Sequence, residues 1–408
     1  MSCERVVIIG AGEAGCRAAI SLREKGFSGK ITLVNAEAHM PYERPPLSKG
    51  LCGHAPILAA AQFETNSIDH LALATATEID RGRKMVILQD GQALVYDRLL
   101  LATGASARLL PALVPGPRVR TLRTLDDAEA FHRMIQPGVR VAMIGAGFIG
   151  LELAAVARQK GAEVTVIEAQ PRILMRGVPE QIAGVLSDRH RAEGVRIMTG
   201  AKLRDVRSEK EVVCITFADE PTINVDLTVV GIGASPNTGL AEACGLACGN
   251  GIVVDGRLRT SDPDIFAAGD CCEFPAAVYG GQRIRVESWR NAREQGEHAA
   301  GAMIGAVEPF VNVPWFWSDQ YDLGLQVVGV AGGAARLVSR QLPDGGLMVF
   351  SLAGDGAILS AAGIGRGNAT AKDIKIAELM IKSRSIPDPA HLADANLKLK
   401  SLLSKEAA

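Results

Sequence analysis

The strongest hydrophobic pattern in the chain is an apolar strand, a glycine-rich turn, a helix and a second apolar strand, and this pattern occurs twice. In the first copy, apolar residues 6–9 precede a helical segment at 14–25 and a second apolar run at 31–34. The second copy occupies residues 140–168. Short apolar runs without polar alternation are typical of strands buried in a parallel sheet. The pattern therefore predicts an α/β fold with two Rossmann-like domains.

Each copy carries three glycines at G-x-G-x-x-G spacing and an acidic residue just after its second strand. In this motif the first glycine allows a tight turn, the second lets the backbone approach a pyrophosphate, and the third lets the helix pack closely on the strand. The helix N-terminus then faces the anion. The residues are Gly10, Gly12, Gly15 and Glu37 in the first copy, and Gly145, Gly147, Gly150 and Glu168 in the second. Two complete motifs predict two dinucleotide sites.

Acidic and basic residues in the second copy bear on the choice of nucleotide. A carboxylate at Glu168 binds a free 2′-hydroxyl and repels a 2′-phosphate, so we expect NADH rather than NADPH. Arg172 lies four residues further on and could weaken that preference. Glu152 follows Gly150 closely, and it is either a site residue or an acid that interacts with the helix dipole.

A proline-rich segment, HMPYERPPLSK at residues 39–49, follows the first copy. Its prolines predict a rigid, extended segment that could lie against a flat ligand. Arg44 and Lys49 would place two cations there, although a stiff surface loop with solvated charges is the alternative. Further along, Thr124 is expected to cap a helix.

The last part of the chain has a different pattern. Segments at 325–330, 336–339, 347–352 and 357–362 are predicted to be strands, and those at 371–383 and 392–403 are predicted to be helices. This order is typical of a small α+β domain.

Composition limits the class of protein. The chain has 408 residues, 48% of them hydrophobic and 22% charged, with a net charge of −1, which suits a globular protein of two or three domains without nucleic-acid affinity. The longest apolar run, residues 141–151, is too short to span a bilayer. Eight cysteines at irregular spacing, with no separate apolar segment before residue 6, predict reduced thiols, a cytoplasmic location and no metal site.

The two motifs, together with PYERPPLSK, Ala102-Thr103-Gly104, Gly269-Asp270 and PWFWSDQ, make the chain resemble the FAD-dependent, NADH-using ferredoxin reductases. This family includes the reductase components of Rieske-type aromatic-ring dioxygenases and of bacterial haem-thiolate monooxygenase systems. The resemblance implies an FAD domain in two parts, 1–108 and 242–315, an NADH domain at 109–241 and a C-terminal α+β domain at 316–408.

The resemblance also implies roles for individual residues. It places Pro45 against the isoalloxazine and assigns catalytic roles to Lys49, near the flavin, and Glu152, which would hold the nicotinamide or pair with Lys49. FAD contacts are implied for Gly10, Gly12, Ala14, Gly15, Glu37, Arg44, Lys49, Arg123, Asp270 and Trp317. NADH contacts are implied for Gly145, Gly147, Gly150, Glu152 and Glu168. Further cofactor contacts are implied for Ile79, Ile149, Gly233, Glu287, Ser288 and Trp289.

Several of these positions have a second interpretation. Asp270 is an ordinary cap unless the first nucleotide is FAD, and the tryptophans at 315–317 are either core or cover a flavin edge. Glu37 is the only acid left for the first ribose, because the stretch Asn35-Ala36-Glu37 lacks the aspartate that the family often has there.

The implied activity is hydride transfer from NADH to FAD, followed by transfer of single electrons to an acidic 2Fe–2S ferredoxin that supplies an oxygenase in aromatic-hydrocarbon catabolism. The alternatives are an NADH oxidase or quinone reductase, and an NADH redox sensor like apoptosis-inducing factor. A thiol mechanism is disfavoured because residues 44–49 hold no cysteine. The protein is expected to be a monomer or a weak homodimer. Either ferredoxin docking or a solvated arginine-rich surface is expected for Arg283, Arg285, Arg290 and Arg293.

Overall fold

The computed structural model describes residues 3–50, 65–111, 113–114 and 116–403. It divides into two units, the first formed by Met1–Glu43, Ala55–Ser106 and Ser235–Pro314, and the second by Arg44–His54, Ala107–Ala234 and Trp315–Ala408. The α-helices are α1 (Glu13–Glu24), α2 (Leu125–Met134), α3 (Phe148–Gln159), α4 (Glu180–Ala192), α5 (Gly239–Ala243), α6 (Trp289–Met303), α7 (Ala371–Lys382) and α8 (Pro389–Ala393). The finer division into domains remains a prediction.

The first unit is built on a parallel sheet, as the uninterrupted apolar runs predict. Its strands, in spatial order, are Ile265–Ala267, Arg98–Leu101, Arg5–Ile9, Lys30–Val34 and Ile68–Leu71. The central strand and its neighbour Lys30–Val34 have only their first residues exposed, because both faces of the sheet are covered. The unit's remaining strands are Ala76–Asp80, Met85–Leu88, Ala93–Val95, Ala105–Ala107, Ile252–Val253, Cys272–Ala276 and Gln282–Ile284.

Helices α1 and α6 pack against each other in the first unit. A Cβ at Gly296 of α6 would lie 2.4 Å from the carbonyl oxygen of Ala14, so only glycine permits this approach. The amide N–H of Gly269 donates to Gln295 Oε1 at 2.7 Å, which fixes the turn before Asp270 next to α6. Asp270 is followed in the chain by a strand rather than by a helix.

The second unit repeats the parallel arrangement. Its sheet has the order Val119–Arg120, Leu227–Val230, Arg140–Ile144, Glu163–Ile167 and Arg196–Met198. The strand that leads into the glycine-rich turn is therefore central here too. A second sheet comprises Ile223–Val225, Val213–Phe217, Leu203–Ser208 and Leu113–Val114, and the short strand Ala234–Pro236 begins at the last residue of this part of the chain.

An antiparallel sheet forms the C-terminal part of the second unit. Its strands, in spatial order, are Trp315–Gln320, Leu323–Gly329, Ile358–Arg366, Leu347–Leu352 and Arg336–Gln341. Helix α7 packs against two of these strands, which agrees with the predicted α+β pattern.

The continuous helix predicted at residues 392–403 is wrong. The chain instead forms α8 and, later, a 3₁₀ turn at Leu399–Leu402. The buried guanidinium of Arg340 donates to the carbonyls of Leu392 and Asp394, which an α-helix would have used for its own hydrogen bonds.

The extended conformation predicted for residues 39–49 is wrong for Pro45–Ser48. Pro45–Ser48 is a 3₁₀ helix, and the amides of Leu47 and Lys49 donate to carbonyls three residues earlier. Proline fits the first helical turn because it has no N–H to satisfy there and its φ is already suitable. The segment is rigid for that reason, and it turns Ser48 and Lys49 to the same neighbour, α3.

Candidate dinucleotide and nicotinamide site

The two glycine-rich turns have the same backbone geometry. Gly10 has φ +106° and Gly145 has φ +103°. A Cβ at Gly10 would lie 2.2 Å from the Ala102 carbonyl oxygen, and one at Gly145 would lie 2.4 Å from that of Gly231. Each turn therefore requires glycine for its conformation and for the close approach of the next strand.

The helix that follows each turn has a free N-terminus. Gly12 and Gly147 are the N-cap residues of α1 and α3, and neither helix is capped by a side chain. A Cβ at Gly12 would meet nothing within 4 Å, whereas one at Gly15 would lie 1.9 Å from the Gly10 carbonyl oxygen. Open space in front of uncapped N–H groups fits a pyrophosphate, so the residues present suit a dinucleotide in each unit.

The two acids that end the second strands have different partners. The Glu168 carboxylate accepts hydrogen bonds from the amides of Ala146 (2.7 Å) and Gln170 (2.8 Å), which holds it at the glycine-rich turn. Glu37 accepts a short hydrogen bond from the Tyr42 hydroxyl, and its amide donates to Asn35 Oδ1 at 3.0 Å. Asn35 and Tyr42 thus position Glu37 in the absence of the aspartate, a role that the motif PYERPPLSK did not indicate for Tyr42.

The guanidinium of Arg172 is directed to backbone carbonyls rather than to the Glu168 carboxylate. Its Nη1 and Nη2 atoms donate to the carbonyls of Ile173 and Val178, each at 3.1 Å. A different cation, Arg176, lies near the carboxyl end of the parallel sheet, with Nη1 3.3 Å from the position of a Cβ on Gly233. Arg176 was not predicted, because an exposed arginine in a loop has no distinctive pattern.

Glu152 is the fifth residue of α3 and is only 6% exposed. Its carboxylate accepts hydrogen bonds from Lys49 Nζ at 2.9 Å, from Ser318 Oγ at 2.6 Å and from Ser48 Oγ. A buried acid with three donors does not serve the helix dipole at the surface. The structure thus pairs Glu152 with Lys49, and its role as a site residue stays a prediction.

Lys49 also lies next to the aromatic cluster at the start of the C-terminal sheet. Its Nζ is 3.5 Å from Asp319 Oδ2 and 5.9 Å from the ring centre of Trp317. The Trp317 indole donates to Asp319 Oδ2 at 3.1 Å and stacks on Trp315. Trp317, only partly buried, is thus held in place by stacking, hydrogen bonding and a cation rather than by core packing alone.

The other predicted FAD residues occupy varied environments. In the second unit, Arg44 donates to the Arg123 carbonyl, and Thr124 caps α2 in a capping box, as predicted. In the first unit, the Ser288 side chain caps α6 by accepting from the Asn291 amide at 3.2 Å. Of the rest, Ile79 is buried, whereas Ile149 and Glu287 are exposed. Ala14 lies in α1 and Pro45 in the 3₁₀ helix. Asp270 lies in the turn before Cys272, and Trp289 is the first residue of α6.

Glu13, inside the first glycine motif, is a half-buried acid whose carboxylate oxygens are shielded from water, and it was not predicted as a site residue. Neither of its carboxylate oxygens has a hydrogen-bond partner among the described residues. Burial, helped by the nearby Glu43, raises its pKa from 4.5 to about 7, while Arg293, Trp289 and Arg17 oppose the shift.

The four arginines considered for docking each pair with a glutamate in the first unit. Arg285 and Arg290 form close ion pairs with Glu287 (2.6 Å) and Glu294 (2.7 Å). Arg283 and Arg293 lie 3.6 Å from Glu273 and Glu297 respectively. Their positive charge is therefore largely balanced by carboxylates at the same surface.

Other kinds of site are not found in the part of the chain that the structure describes. No three His, Cys, Asp or Glu side chains there are grouped to hold a metal ion, and no helix there has the length and apolarity to cross a membrane. The cysteines in those residues are free thiols, and burial raises the pKa of Cys271 and Cys272. Cys52 lies outside the described residues.

Two parallel sheets, each with a glycine-rich turn, an uncapped helix and an acid, define a flavoprotein-type oxidoreductase with two dinucleotide sites. Comparison with known proteins agrees. The model of the pyridine nucleotide-disulphide oxidoreductase family matches residues 4–296, and a reductase C-terminal model matches residues 315–403. The chain belongs to this family, and it is an NADH-dependent oxidoreductase whose cofactors are FAD and NADH.

Individual relatives are similar over most of their length. The chain is 38% identical to the ferredoxin–NAD⁺ reductase component of an anthranilate 1,2-dioxygenase system from Burkholderia cepacia, covering 99% of this chain and 100% of that protein. It is 42% identical to rhodocoxin reductase from Rhodococcus erythropolis, covering 85% and 82% respectively. Among solved structures, putidaredoxin reductase in its covalent complex with putidaredoxin has a TM-score of 0.92 and 36% identity, with 98% of each chain covered.

Proposed function

We propose that this protein is an NADH:ferredoxin reductase that supplies electrons, through a 2Fe–2S ferredoxin, to an oxygenase acting on an aromatic compound. The observation that carries the proposal is the ion pair between Lys49, which lies next to Trp317, and the buried Glu152 on the helix of the second dinucleotide site. The ferredoxin and dioxygenase named for its relatives support the choice of electron acceptor. The free thiols and the use of NADH suit the cytoplasm.

The protein's own residues bind and orient the two nucleotides. The helix N-termini after Gly12 and Gly147 would hold the pyrophosphates of FAD and NADH respectively, and Glu37 and Glu168 would bind the adenosine riboses. Lys49, held by Glu152 and Asp319, would supply a fixed positive charge to stabilise negative charge on the reduced flavin. Glu152 has its carboxylate fixed by three donors and so orients the nicotinamide with little loss of freedom on binding.

FAD, when bound, supplies the conversion of a two-electron hydride into single electrons that a 2Fe–2S cluster accepts. The overall reaction is NADH + 2 oxidised ferredoxin → NAD⁺ + 2 reduced ferredoxin + H⁺. No side chain has to act as a general acid or base, and no cysteine takes part. We also propose the division into an FAD domain (1–108 and 242–315), an NADH domain (109–241) and a C-terminal domain (316–408).

Anaerobic stopped-flow spectroscopy of the purified flavoprotein tests the proposal. We expect NADH to bleach the flavin rapidly, NADPH to do so much more slowly, and the reduced protein to transfer electrons quickly to a 2Fe–2S ferredoxin. Fast bleaching followed by no reaction with several such ferredoxins would refute the assigned acceptor. Rapid oxygen or quinone reduction would then indicate an oxidase or quinone reductase, and a long-lived charge-transfer band with a change of oligomer would indicate a redox sensor.

A further inference from the structure

A continuous line of buried polar side chains leads from Glu152 on α3 to His190 on α4, within the second unit. Ser318 Oγ lies 2.6 Å from Glu152 Oε1, and Gln320 Nε2 lies 2.9 Å from Ser318 Oγ. Gln320 Oε1 lies 2.7 Å from His190 Nε2, and Tyr321 Oη lies 3.3 Å from His190 Nδ1. Ser318, Gln320 and His190 are each at most 2% exposed, so water does not compete for these contacts.

The hydrogen bonds in this line can run in only one direction. A carboxylate accepts, so the Ser318 hydroxyl donates its single hydrogen to Glu152 and must accept from Gln320. The Gln320 amide therefore points its NH₂ group at Ser318 and its oxygen at His190. His190 then has to carry its hydrogen on Nε2, and its Nδ1 accepts from Tyr321. With the amide reversed, Ser318 would donate to Gln320, and the 2.6 Å contact would join two acceptor oxygens.

The surroundings of His190 favour a neutral imidazole. Burial lowers its pKa, and the neighbouring Arg189 adds to that effect, while Gln320 and Glu193 oppose it. A neutral imidazole has one donor and one acceptor nitrogen, which is what Gln320 and Tyr321 require. The Tyr321 ring packs edge-on against the imidazole at 5.1 Å and so restricts its rotation.

We infer that His190 is a positioning residue for the reaction, which acts through Gln320 and Ser318 to fix the orientation of the Glu152 carboxylate. All donors along the line point toward the carboxylate, so each bond polarises the next and the acceptor is held in one rotamer. The inference rests on the proposed role of Glu152 toward the nicotinamide. His190 lies outside every sequence motif of the two dinucleotide sites.

Three variants test the inference in the FAD-loaded protein. His190→Leu removes the donor to Gln320, His190→Gln retains an amide N–H at the Nε2 position, and Ser318→Ala breaks the line next to Glu152. We expect His190→Leu to weaken NAD⁺ binding and slow flavin reduction by NADH about tenfold, since small displacements of a positioning group have effects of this size. His190→Gln should restore most of the loss, and His190→Leu should add almost nothing to Ser318→Ala. His298→Leu, at a partly buried histidine of the first unit, is the matched control and should leave both quantities unchanged.

A spectroscopic measurement tests the direction of the bonds without turnover. In protein labelled with ¹⁵N-histidine, the signal missing from His190→Gln identifies His190, and its two nitrogen shifts show which atom carries the hydrogen. We expect the Nε2–H form. An Nδ1–H form, or additive effects of His190→Leu and Ser318→Ala, would refute the inference. If NAD⁺ binding and flavin reduction behave as expected but ferredoxin is not reduced, the assigned acceptor fails and the inference stands.

Discussion

Replacing Lys49 by methionine tests how much the buried ion pair with Glu152 contributes to the second unit. Methionine keeps most of the side-chain volume and removes the charge. Glu152 is 6% exposed, and the variant leaves its carboxylate with only two hydroxyl donors, from Ser48 and Ser318. The Lys49 side chain is 16% exposed, so most of its charge is also shielded from water.

The expected size of the effect follows from this geometry. Removing one partner of a buried ion pair costs about 3–5 kcal/mol because the other charge stays buried. We expect about 3 kcal/mol for Lys49→Met, at the lower end, because two hydroxyls still stabilise the carboxylate. Glu152→Gln should cost about 2 kcal/mol, since Asp319 remains as a partner for Lys49 at 3.5 Å. The double variant should be less destabilised than the sum by at least about 1 kcal/mol.

Urea denaturation followed by tryptophan fluorescence measures these differences. Lys84→Met is a suitable control, because Lys84 pairs with Asp264 at a more exposed position and should cost less than about 1 kcal/mol. Additive effects of Lys49→Met and Glu152→Gln, within about 0.5 kcal/mol, would refute the view that the pair is energetically coupled. Lys49→Met should also slow flavin reduction by NADH, while reduction by dithionite stays unchanged.

Variants at three further places, namely Glu13, the second dinucleotide site and the arginine-rich surface, have clear expected outcomes. For Glu13, the pKa is about 7 in the folded protein and 4.5 ordinarily, so the charged form is disfavoured by folding and stability falls as pH rises from about 4.5 to 7. Glu13→Gln should therefore be more stable than the parent at pH 8 by about 2 kcal/mol and no more stable at pH 4, as measured by thermal unfolding; this figure allows for partial exposure of the side chain. Glu168→Gln should raise kcat/KM for NADPH relative to NADH about tenfold, because a charge that repels the 2′-phosphate is lost. Arg172→Ala should leave that ratio unchanged, because the Arg172 guanidinium is bound to carbonyls of its own loop. The reverse pattern would assign cofactor choice to Arg172. Arg290→Glu with Arg293→Glu should slow ferredoxin reduction about tenfold at low salt without changing ferricyanide reduction, and equal losses with both acceptors would exclude a docking role.

The repeated dinucleotide motif could be predicted because its requirements are local. Gly10 has a positive φ, and a Cβ at Gly15 would meet the carbonyl oxygen of Gly10, so both demands arise within one short turn and helix. The same holds for the positive φ of Gly145, for the apolar runs of the buried strands and for the Thr124 cap, where a few adjacent residues determine the conformation. The resemblance to a reductase family then supplied the pairing of Lys49 with Glu152.

Residues 45–48 show where local reasoning was insufficient. The φ of proline suits both an extended segment and the first turn of a helix, so composition alone did not decide between them. The hydrogen bonds of Ser48 and Lys49 to Glu152, more than 100 residues away in the chain, are formed in the turned conformation. Long-range partners of this kind have no periodic signal.

What the sequence by itself determined is the α/β class, the two dinucleotide motifs and the acids that follow them, because strand burial, tight turns and helix N-termini follow from short-range spacing. What only the tertiary structure decided is the environment of the charged groups. Glu152 became a buried acceptor rather than a surface acid because Ser318 packs beside it, and His190 gained a role because Gln320 ends the adjoining strand. Charge and hydrogen-bond energies depend on burial and on exact partners, and both are set by contacts between distant parts of the chain.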